Sequence, residues 1–395
     1  MEYRYAPRME QTPRSFIREI LKVTERPEVI SFAGGLPNPG CFDTAGIRDA
    51  AVAVLDGAGA AVLQYATTEG FPPLRRWIAD RYRCRLGLEV PPDEILITNG
   101  SQQCLDLIGK VLIGRGDPCA IERPGYLGAI QAFSLYEPAF VPVPLDVDGP
   151  EPSALAEAAR DGARLFYGVP NSQNPSGTTW SAERRAEVVE ALDGTGTLLV
   201  EDDAYGELRF DGPALAPLRT LAPERTLMTG SFSKVLAPGL RLGWVVAPPE
   251  VMHHLVTAKQ ASDLHSNTFA QRVAAQYLAS TPIDEHVARI TDVYRRHRDL
   301  MLALAADLFP EGVSWTRPDG GMFVWLTLPA GCSSMALFEA ALKSNVAILP
   351  GLPFYTDGGG DRTVRLNFSN ADEASLEEGM GRLARALGAQ LRAAS

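Results

Sequence analysis

Between about Leu63 and Ala261 the chain repeats one pattern: a short apolar run, a loop rich in Gly, Pro, Asn and Ser, then an amphipathic helical stretch. Ile95–Thr98, Leu165–Val169 and Leu198–Val200 are too short for helices and too apolar to face water, so each reads as a buried strand. Strands joined through helices return in the same direction, which makes the expected fold class α/β, a mostly parallel sheet between helices. In such sheets ligands bind at the loops that follow the strands' carboxyl ends.

The residues after these strands carry the chemistry. Asn99-Gly100-Ser101-Gln102-Gln103 opens the periodic run Leu105, Ile108, Val111, Leu112, a glycine turn into a helix whose first amides suit an anion. Alone, Gly100 is equally a turn glycine. Ser231-Phe232-Ser233-Lys234 followed by Arg241 is more specific, because it places two hydroxyls, an amine and a guanidinium on one tight turn. A lysine amine condenses with an aldehyde to a Schiff base, while Ser231, Ser233 and Arg241 can hold a phosphate dianion. The implied cofactor is pyridoxal 5'-phosphate.

Two further loops supply what a pyridoxal ring requires. Leu198–Val200 runs into Glu201, Asp202, Asp203 and Tyr205, and a buried carboxylate at a strand end can pair with a protonated pyridine nitrogen. Asp202 takes that role in this reading; either aspartate could instead cap the next helix. Asn174, in Asn171-Ser172-Gln173-Asn174-Pro175-Ser176-Gly177, and Tyr205 are uncharged donors suited to the ring's phenolic oxygen, although Asn-Pro-x-Gly is also a plain turn. Further on, Val364, Leu366 and Phe368 alternate with Arg365 and Asn367. The arginine fork suits bidentate capture of a carboxylate, and an arginine in water on an edge strand is the other reading of the spacing.

With these segments in order, the chain resembles the class I, fold type I pyridoxal-phosphate aminotransferases, most of all the 2-aminoadipate and kynurenine/aminoadipate branch. Ile30–Pro37, Leu63–Gly70, Gly125–Phe133, Gly320–Trp325 and Val364–Asn367 extend the likeness over nearly the whole sequence. The resemblance implies that Lys234 forms the Schiff base and shuttles the proton, with Asp202 and Tyr205 as its catalytic partners. Ser101, Gln102, Ser231, Ser233 and Arg241 would surround the phosphate, Tyr126 would stack on the ring, and Asn174 would bond its oxygen. Tyr126 could otherwise be a core aromatic. Tyr65 matches a tyrosine that reaches the phosphate across a dimer interface, which implies a homodimer with shared sites. Arg365, Asn174 and Gly35 would contact substrate. Arg18, on a short helix expected after Thr12-Pro13, would read a distal carboxylate from a lid, whereas pattern alone makes it a surface arginine.

Composition bounds the alternatives. With 395 residues and 46% hydrophobic content the chain can bury more than one core, so two lobes are expected. The resemblance sets them at 45–285 for the large cofactor-binding domain, with 1–44 and 286–395 forming a smaller α+β domain. The helical run Val287, Ile290, Tyr294, Met301, Leu304, Leu308 leads into that lobe, where Arg295, Arg296, His297 and Arg298 read as a solvated face. A net charge of -11 opposes nucleic-acid binding, and no leader, membrane span or metal-ligand spacing is expected. Five cysteines without CxxC spacing fit a reducing cytoplasm.

The expected reaction moves an amino group between an amino acid and a 2-oxo acid such as 2-oxoglutarate. The donor is 2-aminoadipate or a broader acidic, apolar or unusual set, and Ser172, where relatives carry an aromatic, signals drift. β-Elimination on the same residues is one alternative. A non-catalytic ligand-sensing module is another, disfavoured because the likeness starts near residue 15 and leaves no basic DNA-binding head.

Overall fold

The computed structural model describes residues 3–11 and 26–394. Thr12, Pro13 and Arg18 lie outside them. The strands in chain order are β1 (Ile30–Ser31), β2 (Ile95–Thr98), β3 (Pro118–Arg123), β4 (Ala139–Pro144), β5 (Leu165–Gly168), β6 (Leu198–Asp202), β7 (Thr226–Ser231) and β8 (Gly243–Val246). They continue with β9 (Ser314–Trp315), β10 (Phe323–Thr327), β11 (Val346–Ala347), β12 (Leu349–Pro350) and β13 (Thr363–Asn367). A seven-stranded sheet runs β2-β8-β7-β6-β5-β3-β4, with β8 antiparallel to both neighbours and β7, β6, β5, β3 and β4 mutually parallel. The fold class is α/β, as the alternating pattern requires.

Side-chain caps start three of the helices. Asp43 accepts the Gly46 amide ahead of Thr44–Ala58, Ser181 the Arg184 amide ahead of Ala182–Ala191, and Asn267 the Ala270 amide ahead of Thr268–Ser280. β2, β5 and β7 are buried at every position, since helices cover both faces of the sheet.

The second sheet, β12-β13-β10-β9, is antiparallel, and β1 pairs with β11 to bring the N-terminal segment onto the same half. Arg365 is therefore not on an edge: β13 lies between β10 and β12 and leaves its side chain buried. The long helix runs Ile283–Leu308 and packs against Glu373–Ala394. The solvated reading of its basic cluster needs correction at two positions. His297 is buried with Nδ1 3.1 Å from the Phe368 carbonyl, and Arg298 reaches back to Asp211 (2.5 Å) and the Pro318 carbonyl while covering the Phe210 ring. Spacing cannot reveal such partners because they lie far away in sequence.

Between the sheet and the helix at Ala182, Trp180 stacks on Phe166 and donates to Glu122 Oε1. Arg185, fully buried, gives hydrogen bonds to the carbonyls of Trp180, Ala216 and Pro170 and to Asn171 Oδ1, fixing the turn that follows β5. Arg185→Met preserves most of the volume but strands these acceptors, so we expect a loss of about 2–4 kcal/mol in urea unfolding at unchanged slope. A loss below about 1 kcal/mol would show that the turn holds itself.

Candidate active site

Lys234, Asn174, Asp202, Tyr205, Ser101, Gln102, Tyr126, Ser231, Ser233 and Arg241 line one cavity of about 210 Å³, completed by Val169, Ala204 and Pro238. Each arrives at the end of a strand or in the turn beyond it. After β2, Gly100 adopts φ +77°, and a Cβ there would sit 2.6 Å from Arg241 Nη2, so a bare backbone is required beside the guanidinium. The helix from Ser101 then begins at the cavity, with Gln102 Nε2 bonded to the Gly128 carbonyl. On the turn after β7, the Ser233 amide donates to Ser231 Oγ and Arg241 Nη2 donates to the Asn99 carbonyl.

Lys234 Nζ donates to the Gly35 carbonyl at 3.0 Å and faces the Tyr205 ring. Burial, reinforced by Arg365 and Arg241, pushes its amine down to about 8, so a substantial neutral fraction exists near physiological pH. Gly35 is itself constrained, as a Cβ would lie 3.0 Å from Phe323 Cζ.

The two aspartates of β6 separate cleanly. Asp202 accepts from Tyr167 Oη at 2.6 Å and Thr229 Oγ1 at 2.9 Å and lines the cavity. Burial raises its pKa, and those two hydrogen bonds pull it back. Asp203 instead accepts from Asn171 Nδ2 and the Gly206 amide, closing the local turn. The sequence motifs do not point to Tyr167 or Thr229. The available signal was a tyrosine inside an apolar strand, whose hydroxyl needs a buried partner.

Asn174 donates through Nδ2 to Tyr205 Oη (3.3 Å) and accepts through Oδ1 from Arg365 Nη1 (2.8 Å). Arg365 also bonds the Ala33 carbonyl and lies against the rings of Phe323 and Phe354, while its Nε has no hydrogen-bond partner among the described residues. Burial lowers its pKa to about 10, which still leaves a cation at neutral pH. Behind this loop, Gln173 Nε2 bonds Glu122 Oε2 and the Pro124 carbonyl. Ser172, at φ +48°, packs beneath Gly320 and Gly321 and does not line the cavity.

Tyr65 stands apart. It is 79% exposed, edge-on to His265, and borders a different, shallow surface depression. Among the described residues no His, Cys, Asp and Glu group could hold a metal ion, and no helix is long and apolar enough to cross a membrane.

The donor set fits pyridoxal phosphate: hydroxyls with Arg241 for a phosphate, Asp202 for a ring nitrogen, Lys234 for an aldehyde, and Asn174 with Tyr205 for a ring oxygen. Comparison with known proteins agrees. The sequence matches the family profile "Aminotransferase class I and II" over residues 38–383. It is 44% identical to 2-aminoadipate transaminase of Thermus thermophilus, covering 94% of both chains, and 41% identical to aromatic-amino-acid aminotransferase 1 of Thermococcus litoralis, covering 96% of this chain and 92% of that one. The solved alpha-aminoadipate aminotransferase of Thermus thermophilus, complexed with N-(5'-phosphopyridoxyl)-L-leucine, superposes with a TM-score of 0.92 at 41% identity over 98% of each chain. The chain belongs to the class I and II aminotransferases, and is a pyridoxal-phosphate-dependent transaminase of fold type I.

Proposed function

We propose that this transaminase takes its amino group from 2-aminoadipate or a broader set of acidic, apolar or unusual amino acids and passes it to a 2-oxo acid such as 2-oxoglutarate. The carrying observation is that Lys234, Asp202 and Asn174 line one cavity, with Arg365 bonded to Asn174 behind it. The named relatives act on 2-aminoadipate and on aromatic amino acids, which supports a range spanning both. Bound pyridoxal phosphate supplies an aldehyde for capturing amines and a ring that accepts electron density from the substrate's Cα.

The residues divide the remaining work. Arg365 holds the donor's α-carboxylate, since a guanidinium has five N–H donors and only two acceptors, Asn174 Oδ1 and the Ala33 carbonyl, engage it here. Lys234 Nζ removes the Cα proton, which its lowered pKa permits near neutrality. Asp202 keeps a negative charge beside the ring nitrogen, and Tyr205 and Asn174 hold the ring oxygen. Ser101, Gln102, Ser231, Ser233 and Arg241 hold the phosphate, with Tyr126 on the ring face and Gly35 leaving room for substrate. Arg18 is the candidate reader of a distal carboxylate. Residues 45–285 form the large domain, with 1–44 and 286–395 as the small one. The enzyme is cytoplasmic and dimeric, the exposed Tyr65 completing the neighbour's phosphate site.

A panel of amino donors with 2-oxoglutarate, read as glutamate formed, tests the substrate assignment. Acidic donors should lead, Lys234→Ala should abolish turnover, and Arg18→Ala should cost 2-aminoadipate about ten-fold or more while sparing leucine. Release of ammonia without glutamate would replace transamination by elimination.

Asp202→Asn should retain cofactor yet lose about a hundred-fold in rate, whereas Asp203→Asn, in a turn, should lose less than about ten-fold. The reverse order would move the ring partner to Asp203.

Mixing Tyr65→Ala with Lys234→Ala under subunit exchange should restore part of the activity, because one site in a mixed dimer then carries neither substitution. Tyr65→Ala with full activity as a monomer would remove the shared site.

A further inference from the structure

The turn at Asn99–Ser101 is braced from behind by an ion pair outside the cavity, its lysine buried and its aspartate partly so. Lys259, on the helix Pro249–Ser262, is wholly buried, and its Nζ donates at 2.9 Å to Gln103 Oε1 and to both carboxylate oxygens of Asp263. Asp263 Oδ2 in turn accepts from Asn99 Nδ2 at 2.6 Å and Gln103 Nε2 at 2.8 Å. Gln103 Oε1 also accepts the Asn99 amide, and the Asn99 carbonyl receives Arg241 Nη2 at 3.3 Å. Asn99 is thus held through its amide, side chain and carbonyl, and the carbonyl is a seat for the arginine assigned to the phosphate. One turn later, Ser266 Oγ anchors the same strand by bonding the Ile97 carbonyl.

A lysine that only filled space here would be replaced at lower cost by an apolar residue, since burying an ammonium is expensive unless every proton finds an acceptor. Its acceptors are Gln103, in the first turn of the helix that starts at Ser101, and Asp263, which itself bonds Asn99 and Gln103 on either side of Ser101. We propose that Lys259 and Asp263 are positioning residues for phosphate binding: they fix Asn99 and Gln103, and through them the seat of Arg241 and the first turn at Ser101. This rests on the assignment of Arg241 and Ser101 to the phosphate. Neither Lys259 nor Asp263 lines the cavity or bonds Asp202, Lys234, Asn174 or Tyr205, so the influence of the pair would be confined to the end held by Ser101 and Arg241.

The test compares two probes on apoenzyme, pyridoxal 5'-phosphate and pyridoxal, which lacks the phosphate, each titrated by quenching of tryptophan fluorescence. Asp263→Ala and Asn99→Ala, the latter leaving the buried pair intact, should weaken pyridoxal phosphate about ten-fold and pyridoxal less than about two-fold. Equal losses for both probes would make the pair a general stabiliser of the fold, and no loss for either would leave the turn self-supporting; both overturn the proposal. If Asp263→Ala does not fold, Asn99→Ala decides alone. Arg241→Leu serves as the reference. A phosphate-selective loss there without one in Asn99→Ala removes the brace only, while its absence in Arg241→Leu removes the phosphate site on which the brace depends.

Discussion

The parallel register of β5, β6 and β7 is the constraint on which the site depends. Asp202 stands opposite Thr229 on β7, and Tyr167 on β5 reaches the same carboxylate. Successive strand residues face opposite sides of a sheet. Glu201, the residue before Asp202, accordingly turns away and accepts the amides of Leu218 and Arg219 at the start of the next helix. A slip of one residue would put Glu201 in the place of Asp202 and Val200 in the place of Glu201, leaving a helix start without its acceptor and the cavity with a longer acid. Core packing and catalytic geometry are set by the same hydrogen-bond ladder.

Around that ladder the molecule buries several charges, and each is surrounded by partners matched to its protonation. Arg185 and Lys259 meet only acceptors. Glu122 meets three donors, from Val169, Gln173 and Trp180, which favour the carboxylate although burial pushes its pKa up to about 8. Lys234 differs, with one carbonyl acceptor and two nearby guanidinium charges that oppose its proton. The contrast separates charges that stabilise loops from an amine whose surroundings favour loss of its proton.

The fold and most of the cavity lining were legible in the sequence because they follow from short-range rules. Apolar runs of strand length and the Ser231–Lys234 turn are local signals, and each led to an element or a lining residue. What escaped depends on long-range partners. Tyr167 and Thr229 gain their meaning from a carboxylate on the neighbouring strand. Arg298 finds Asp211 and Pro318 only after the second sheet folds onto the first, and Arg365 is central only because β12 pairs outside it. Tyr65 and Arg18 were named from resemblance; the first faces outward and the second lies outside the described residues.

The bond between Arg365 and Asn174 has a consequence for how this enzyme can diversify. A guanidinium offers only donors, so it compels Asn174 to present Oδ1 toward it and Nδ2 toward Tyr205. The orientation of an amide that faces the cavity is thereby written by a residue on the other sheet. Replacing the arginine would free that amide to rotate and offer an oxygen where a donor stood. Changes to the pocket are therefore pressed toward positions other than 365, where one side chain fixes the polarity of another on a different sheet.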